Sequence, residues 1–186
     1  MSLRVVHLSD AATVLVDIVA WGAVHAGTGY AVHRMPLRRL GESRLYQRRP
    51  FETEHLYRRV LRVPRWKDRM PEAGALFAGG VSKRTLPDGE LGGLERFVVE
   101  TRRAELGHWL AAAAGPLFVL WNPWPAAVAL VVYGLVANLP CIVIQRYNRL
   151  RAGRVLASRA ARSSTAGAVR AARRADDPGT RGSSIP

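Results

Sequence analysis

The chain has one cysteine, Cys141. A lone thiol excludes an internal disulfide and a cysteine-based zinc cluster. Acids are scarce, with 14 Asp and Glu against 28 Lys and Arg, for a formal charge of +14. There is no Gly-x-Ser-x-Gly elbow, no phosphate loop ending in Gly-Lys-Ser/Thr, and no His-x4-Asp pair. Their absence removes the elbow-borne serine nucleophile and the P-loop from consideration. His7, His25, His33 and His55 stand at no spacing that would give a zinc ion its three or more protein ligands, so no metal site is expected. No internal repeat is present.

The longest absence is of charge. Leu106–Ile144 runs 39 residues without Lys, Arg, Asp or Glu, and basic sequence flanks it on both sides. As a helix it would measure roughly 58 Å, near twice a hydrocarbon core of about 30 Å. Its middle reads Trp121-Asn122-Pro123-Trp124-Pro125. Two prolines and an Asn make a turn, and Trp suits the headgroup layer. The stretch therefore predicts a helical hairpin through a bilayer, with both ends on one side.

A first apolar segment spans about 11–29 and carries Asp17 near its middle. A cleaved signal peptide is the competing reading. The length favours a retained helix, in which Asp17 should face other helices or a wet cavity. One basic residue, Arg4, precedes this segment. Twelve lie between Arg34 and Arg69, ten between Arg146 and Arg181, and none in the hairpin turn. The positive-inside rule then places the loop and tail in the cytoplasm and the N-terminus outside. The expected fold is an all-α integral membrane protein with about three transmembrane helices, at 11–29, 106–121 and 126–144. Residues 1–151 form the membrane-embedded domain and 152–186 a basic Ala/Arg tail.

The connecting loop 30–105 is basic. Phe51, Leu56, Tyr57, Val60 and Leu61 recur at helical spacing with Arg58, Arg59 and Arg62 between them, which predicts an amphipathic interfacial helix. Val63-Pro64-Arg65-Trp66-Lys67 should end it. Residues 71–93, rich in Gly, read as a mobile loop. Leu94–Trp109 turns helical again and should run into the second span. Ala and Arg dominate from Ala152. That tail can form helix on an anionic surface, and 176–186 should be disordered.

Glu105 and His108 are three residues apart and share a helix face. A carboxylate beside an imidazole raises its basicity and fixes its tautomer, as a general base requires. Antiparallel hairpin arms bring Gln145-Arg146-Tyr147-Asn148-Arg149 back to the same level. Ordinary interfacial anchoring is the bland reading of these residues. A purely structural Glu105–Arg146 ion pair is the rival to catalysis.

Two strings carry a resemblance. Glu100-Thr101-Arg102-Arg103-Ala104-Glu105-Leu106-Gly107-His108-Trp109 and Ala137-Asn138-Leu139-Pro140-Cys141-Ile142-Val143-Ile144-Gln145-Arg146-Tyr147-Asn148-Arg149 resemble blocks of the glycosyl-4,4′-diaponeurosporenoate acyltransferases, and Arg65-Trp66-Lys67 resembles a third, shorter block. The resemblance covers roughly 36–151. The Ala/Arg tail and high Arg content depart from it. It implies acylation of the sugar of a glycosylated C30 carotenoid, as in staphyloxanthin-type biosynthesis.

Such chemistry needs a base for the sugar hydroxyl, donors for an oxyanion, and a cationic site for a thioester donor. On this reading His108 is the base and Glu105 its orienter. Tyr147, Asn148 and Asn138 serve the oxyanion or the sugar. Arg146 and Arg149 hold donor phosphates or carboxylate. Arg103, Lys67 and Trp66 assist at the substrate's entry. No bound cofactor is expected; an acyl thioester, on coenzyme A or acyl carrier protein, is the co-substrate. The expected partners are a lipid-linked glycoside acceptor, an anionic phospholipid surface, and a homo-oligomer or biosynthetic partner enzymes. The competing class is a non-enzymatic membrane subunit that binds anionic lipid or a partner enzyme through its basic loop and tail. Nucleic-acid binding by the tail is disfavoured, because arginines flanking spans have a simpler explanation.

Overall fold

The computed structural model describes residues 4–41, 43–70 and 91–175. Among them all regular structure is helical. Helix α1 runs Asp10–Arg34, capped by the Ser9 hydroxyl, which accepts from the Ala12 amide. A short helix α2 covers Val63–Trp66, α3 covers Leu91–Ala113, and α4 covers Trp124–Ala175. Helices α1 and α4 are long and apolar enough to cross a membrane, which points to membrane association. Along α1, Val14, Leu15, Ile18 and Val19 stand exposed, as a lipid-facing surface requires.

The hairpin is present, with irregular arms. Helix α3 stops at Ala113, and Gly115–Leu120 tightens into a 3-10 helix. Pro116 explains the change: it has no N–H to donate to the Ala112 carbonyl, so the α-helical ladder cannot continue. Trp121-Asn122-Pro123 turns the chain and α4 returns antiparallel. Contact between the arms is close. A Cβ on Gly115 would lie 3.1 Å from the Val131 Cα. One on Gly134 would lie 2.7 Å from the Trp21 indole, so only glycine lets α1 seat its tryptophan there. Trp21 stacks on Phe118 at 4.7 Å and meets Tyr133 edge-on at 5.2 Å.

Helix α4 is longer than the expected span 126–144. It holds 52 residues, about 78 Å, and carries the Ala/Arg sequence to Ala175 without a break at 152. Ala and Arg are strong helix formers, so nothing stops the helix where the apolar run ends. The amphipathic helix expected around 51–62 is a single π-helical turn, Leu56–Val60, followed by Arg62 at a left-handed φ of 50°. Of its expected apolar face Tyr57 is buried, while Phe51, Val60 and Leu61 are exposed. The mobile loop expected at 71–93 lies outside the described residues for 71–90, and its last residues open α3. The expected disorder at 176–186 also lies outside them.

Candidate functional site

About 30 Å separates the Trp121–Pro123 turn from the level of Glu105 and Arg146, close to the thickness of a hydrocarbon core. Two polar clusters occupy that far end. The first is centred on Glu105, which is completely buried. Its Oε1 accepts from Arg146 Nε at 2.8 Å and from Trp109 Nε1 at 3.3 Å. Its Oε2 accepts from Arg149 Nη2 at 2.5 Å. Arg146 reaches further. Its Nη1 donates to Glu52 Oε1 at 3.0 Å and its Nη2 to the Leu45 carbonyl at 2.7 Å. One guanidinium thus ties α3, α4 and the 43–57 segment together.

Glu52 is a second buried carboxylate, 5% exposed. Its Oε2 accepts from the Arg49 amide at 2.5 Å, and its Oε1 from the Tyr57 hydroxyl at 2.6 Å. Burial pushes the Glu52 carboxyl up, but the Arg49 amide, the Tyr57 hydroxyl and Arg146 together outweigh it and hold the group below the usual carboxylate range. Burial and the Glu52 charge both raise the Tyr57 phenol.

Beside this network lies a cleft of about 580 Å³, lined by Tyr46, Glu52, Tyr57, Arg102, Arg146 and Arg149 among others. Arg102 and Arg149 flank the Tyr46 ring at 6.0 and 5.9 Å from its centre. The buried Arg102 Nε and Arg149 Nη1 have no hydrogen-bond partner among the described residues. The buried Gln145 Oε1 is likewise without a partner among them, so orphaned donors and an acceptor both lie beside the cleft.

The second cluster sits one helical turn deeper. His108 Nδ1 lies 2.9 Å from Asn138 Oδ1, and Asn138 Nδ2 donates to the Gly134 carbonyl at 2.8 Å. That second bond fixes the amide, since flipping it would set oxygen against oxygen. Asn138 Oδ1 can only accept, so His108 Nδ1 carries the proton. Its Nε2 is then the basic nitrogen.

The residues expected to form one site therefore divide. His108 joins Asn138. Glu105 joins Arg146 and Arg149 as an ion-pair hub, and the atom that sets the His108 tautomer belongs to Asn138. Arg103 binds Glu100 at 2.7 Å and the Met35 carbonyl at 3.3 Å, holding the end of α1 to α3. Trp66 donates to the Leu61 carbonyl at 2.9 Å and packs on the apolar cluster of Tyr57, Val63, Ile144 and Tyr147. Tyr147 is buried in that cluster, Asn148 is fully buried, and Lys67 pairs with Asp68. Sequence reasoning missed Glu52, Tyr46, Tyr57 and Arg102. The available signal was scarcity: Glu52 is one of four acids among the arginines of 34–70.

Comparison with known proteins gives this architecture a family. The family profile described as glycosyl-4,4′-diaponeurosporenoate acyltransferase matches residues 42–158, well over half of the chain. The chain belongs to that family. The matched stretch contains both polar clusters and the whole cleft. A glycosyl-4,4′-diaponeurosporenoate acyltransferase of Staphylococcus haemolyticus (strain JCSC1435) is 35% identical over 96 residues, 52% of this chain and 56% of that protein. Its namesake from Staphylococcus aureus (strain MRSA252) is 31% identical over 96 residues, 50% of this chain and 56% of that protein. The chain thus spans little more than half the length of the curated relatives it matches. No solved structure matches this family member.

Proposed function

We propose that the protein is a membrane O-acyltransferase that moves a fatty acyl group from a thioester donor to a sugar hydroxyl of a glycosylated carotenoid or similar glycolipid. Membership of the acyltransferase family supports the reaction class. One observation carries the assignment of roles: the His108–Asn138–Gly134 relay, which puts a proton on His108 Nδ1 and makes Nε2 the ring nitrogen that would accept the proton. His108 takes the proton of the sugar hydroxyl as that oxygen attacks the thioester carbonyl; the C–S bond then breaks, and the imidazolium returns the proton to the departing thiolate, leaving an ester and a free thiol. Asn138 positions the ring. The cleft holds the donor, with the Arg102 and Arg149 guanidiniums in its lining to meet the donor's oxygens. Glu105 sets the position of Arg146 and Arg149. A carotenoid glycoside keeps its polyene in the lipid and its sugar at the headgroup level, which suits a reaction centre at the end of the spans.

The protein crosses the membrane three times, by α1, by α3 with its 3-10 extension, and by α4. The basic loop and tail lie in the cytoplasm, on the side of a cytoplasmic thioester. The test is glycolipid mass spectrometry on cells carrying the wild type, His108→Ala or Asn138→Ala, with protein levels measured in the same membranes. Loss of the base should lower turnover about 10²–10⁴-fold. Loss of the positioning amide should lower it less. Wild-type turnover by His108→Ala at normal protein level overturns the base assignment. An unchanged lipid profile after deletion of the gene overturns the acyltransferase reading itself.

A further inference from the structure

Outside the Glu105 network the protein carries a second basic concavity, of about 710 Å³, lined by Glu54, His55, Arg58, Arg59, Arg62, Pro64 and Arg65. We propose that it is a binding site for phosphate groups, with arginines enough for more than one of them. Its charge is unbalanced. Glu54 serves Arg58 at 2.9 Å and also bonds Arg154. Those two guanidinium bonds hold the exposed Glu54 carboxyl down at about 2. Arg59, Arg62 and Arg65 have no acidic partner among the described residues. Three uncompensated guanidiniums around one hollow attract multiply charged anions, and Arg matches phosphate oxygens bidentately.

The backbone makes the hollow. A continuous helix over 54–66 would display its arginines on a convex surface. Here the π-helical turn Leu56–Val60 ends, Arg62 takes the left-handed conformation at φ 50°, and α2 starts at Val63 in a new direction. Arg58 and Arg59 then face the same space as Arg65. A non-glycine residue at positive φ is strained and persists where the surroundings hold it. Tyr57, Val63 and Trp66, packed on Ile144 and Tyr147 of α4, are what hold it. The volume lies within the range of small-molecule sites.

The two clefts adjoin. Glu54 lines this one, Arg154 lines the other, and the Glu54–Arg154 ion pair is their partition. Phosphates could arrive on a soluble acyl donor, a source that rests on the acyl-transfer reading, or as the headgroups of anionic lipid. The phosphate chemistry is the same for both.

The experiment needs no acyl transfer, so its failure is separate from failure of the proposed reaction. Full-length protein in phosphatidylcholine nanodiscs is titrated calorimetrically with inorganic pyrophosphate and with coenzyme A. Phosphatidylglycerol retained in mixed discs is counted by native mass spectrometry. Arg59→Gln/Arg62→Gln/Arg65→Gln is compared with Arg162→Gln/Arg170→Gln/Arg173→Gln, which removes the same charge from α4. Arg62→Gly keeps the left-handed turn, and so the fold, while removing one guanidinium. It should weaken binding about tenfold, the equivalent of one charge-assisted hydrogen bond. Pyrophosphate and coenzyme A binding lost in the loop variants alone supports the site with a soluble ligand. No soluble binding, with phosphatidylglycerol lost in the loop variants alone, supports it with a lipid headgroup. Equal loss in loop and α4 variants, or no loss in either, overturns it.

Discussion

Each end of the hairpin closes on a carboxylate, and the two are held differently. At the turn, half-buried Asp17 Oδ1 accepts from Trp121 Nε1 and Asn122 Nδ2, both at 2.8 Å. The donors are neutral, and the Val5 and Val6 amides bind the adjacent Leu120 carbonyl to complete the closure. At the other end Glu105 is fully buried and meets two guanidiniums and an indole N–H. A carboxylate that keeps some contact with its surroundings needs only neutral donors. One removed from all solvent needs counter-charge. The turn end uses its acceptors on its own donors and is a clasp. The basic end lines an open cleft with Arg102, Arg146 and Arg149, so it can still bind something.

The comparison breaks first at Glu105. Glu105→Gln keeps the shape but leaves the largely buried Arg149 without its carboxylate and Arg146 with Glu52 alone, which should cost about 3–5 kcal/mol. Thermal unfolding in detergent, followed by fluorescence-detected size exclusion, should show a large drop in midpoint or no folded protein. A wild-type midpoint would mean that the ion pairs do not hold the fold. Asp17→Ala should cost less, about 1–3 kcal/mol, because it orphans neutral donors. If Asp17→Ala proves worse than Glu105→Gln in the same assay, the distinction between clasp and charged hub is wrong. Gly134→Ala sharpens the clasp from the packing side. Its methyl would displace the Trp21 indole and should cost about 1–3 kcal/mol by overpacking. Tryptophan fluorescence should shift with it, and restoring space with Trp21→Phe should recover part of the loss.

Legibility in the sequence follows the same division. The hairpin could be read because 39 uncharged residues with a Trp-Asn-Pro centre admit few other structures. Asp17 was readable as a residue that must face other helices or a wet cavity; the structure gives it Trp121 and Asn122 of the hairpin turn as partners. The level of the basic end followed from antiparallel arms, which is why Glu105, His108, Asn138, Arg146 and Arg149 could be singled out together. Their pairing could not be read. Helical spacing puts Glu105 and His108 on one face, yet a guanidinium from another helix competes for the carboxylate and holds it by charge. Asn138 was legible as a polar residue inside an apolar arm, but only the Gly134 carbonyl opposite its amide reveals its orientation. Glu52 and Tyr57 escaped because they meet across a non-α-helical turn, where 3.6-residue periodicity has no meaning. The Ala/Arg tail has helix-forming composition and no stop signal, so its continuation from α4 follows propensity where a domain boundary was expected.

The smallest effect belongs to Glu52, and pH reads it. The folded protein holds this carboxyl below its ordinary value of 4.5, so ionised Glu52 stabilises the fold. The contribution is complete above that value and is lost as pH falls through the lower, folded one. Tyr57→Phe removes one of the hydrogen bonds that outweigh burial. The folded carboxyl should then rise, and the acid transition of the 43–57 segment should move to higher pH. Near pH 7 the cost should be only about 1 kcal/mol, one hydrogen bond to a charged group less what water returns. Arg48 Nε, which donates to the Glu52 carbonyl at 2.8 Å, keeps the backbone of the loop in place meanwhile. Acid titration followed by hydrogen exchange of 43–57 checks the direction. A transition that moves to lower pH in Tyr57→Phe would mean that the phenol does not stabilise the ionised carboxylate. The charged end would then owe its 43–57 cover to Arg146 alone.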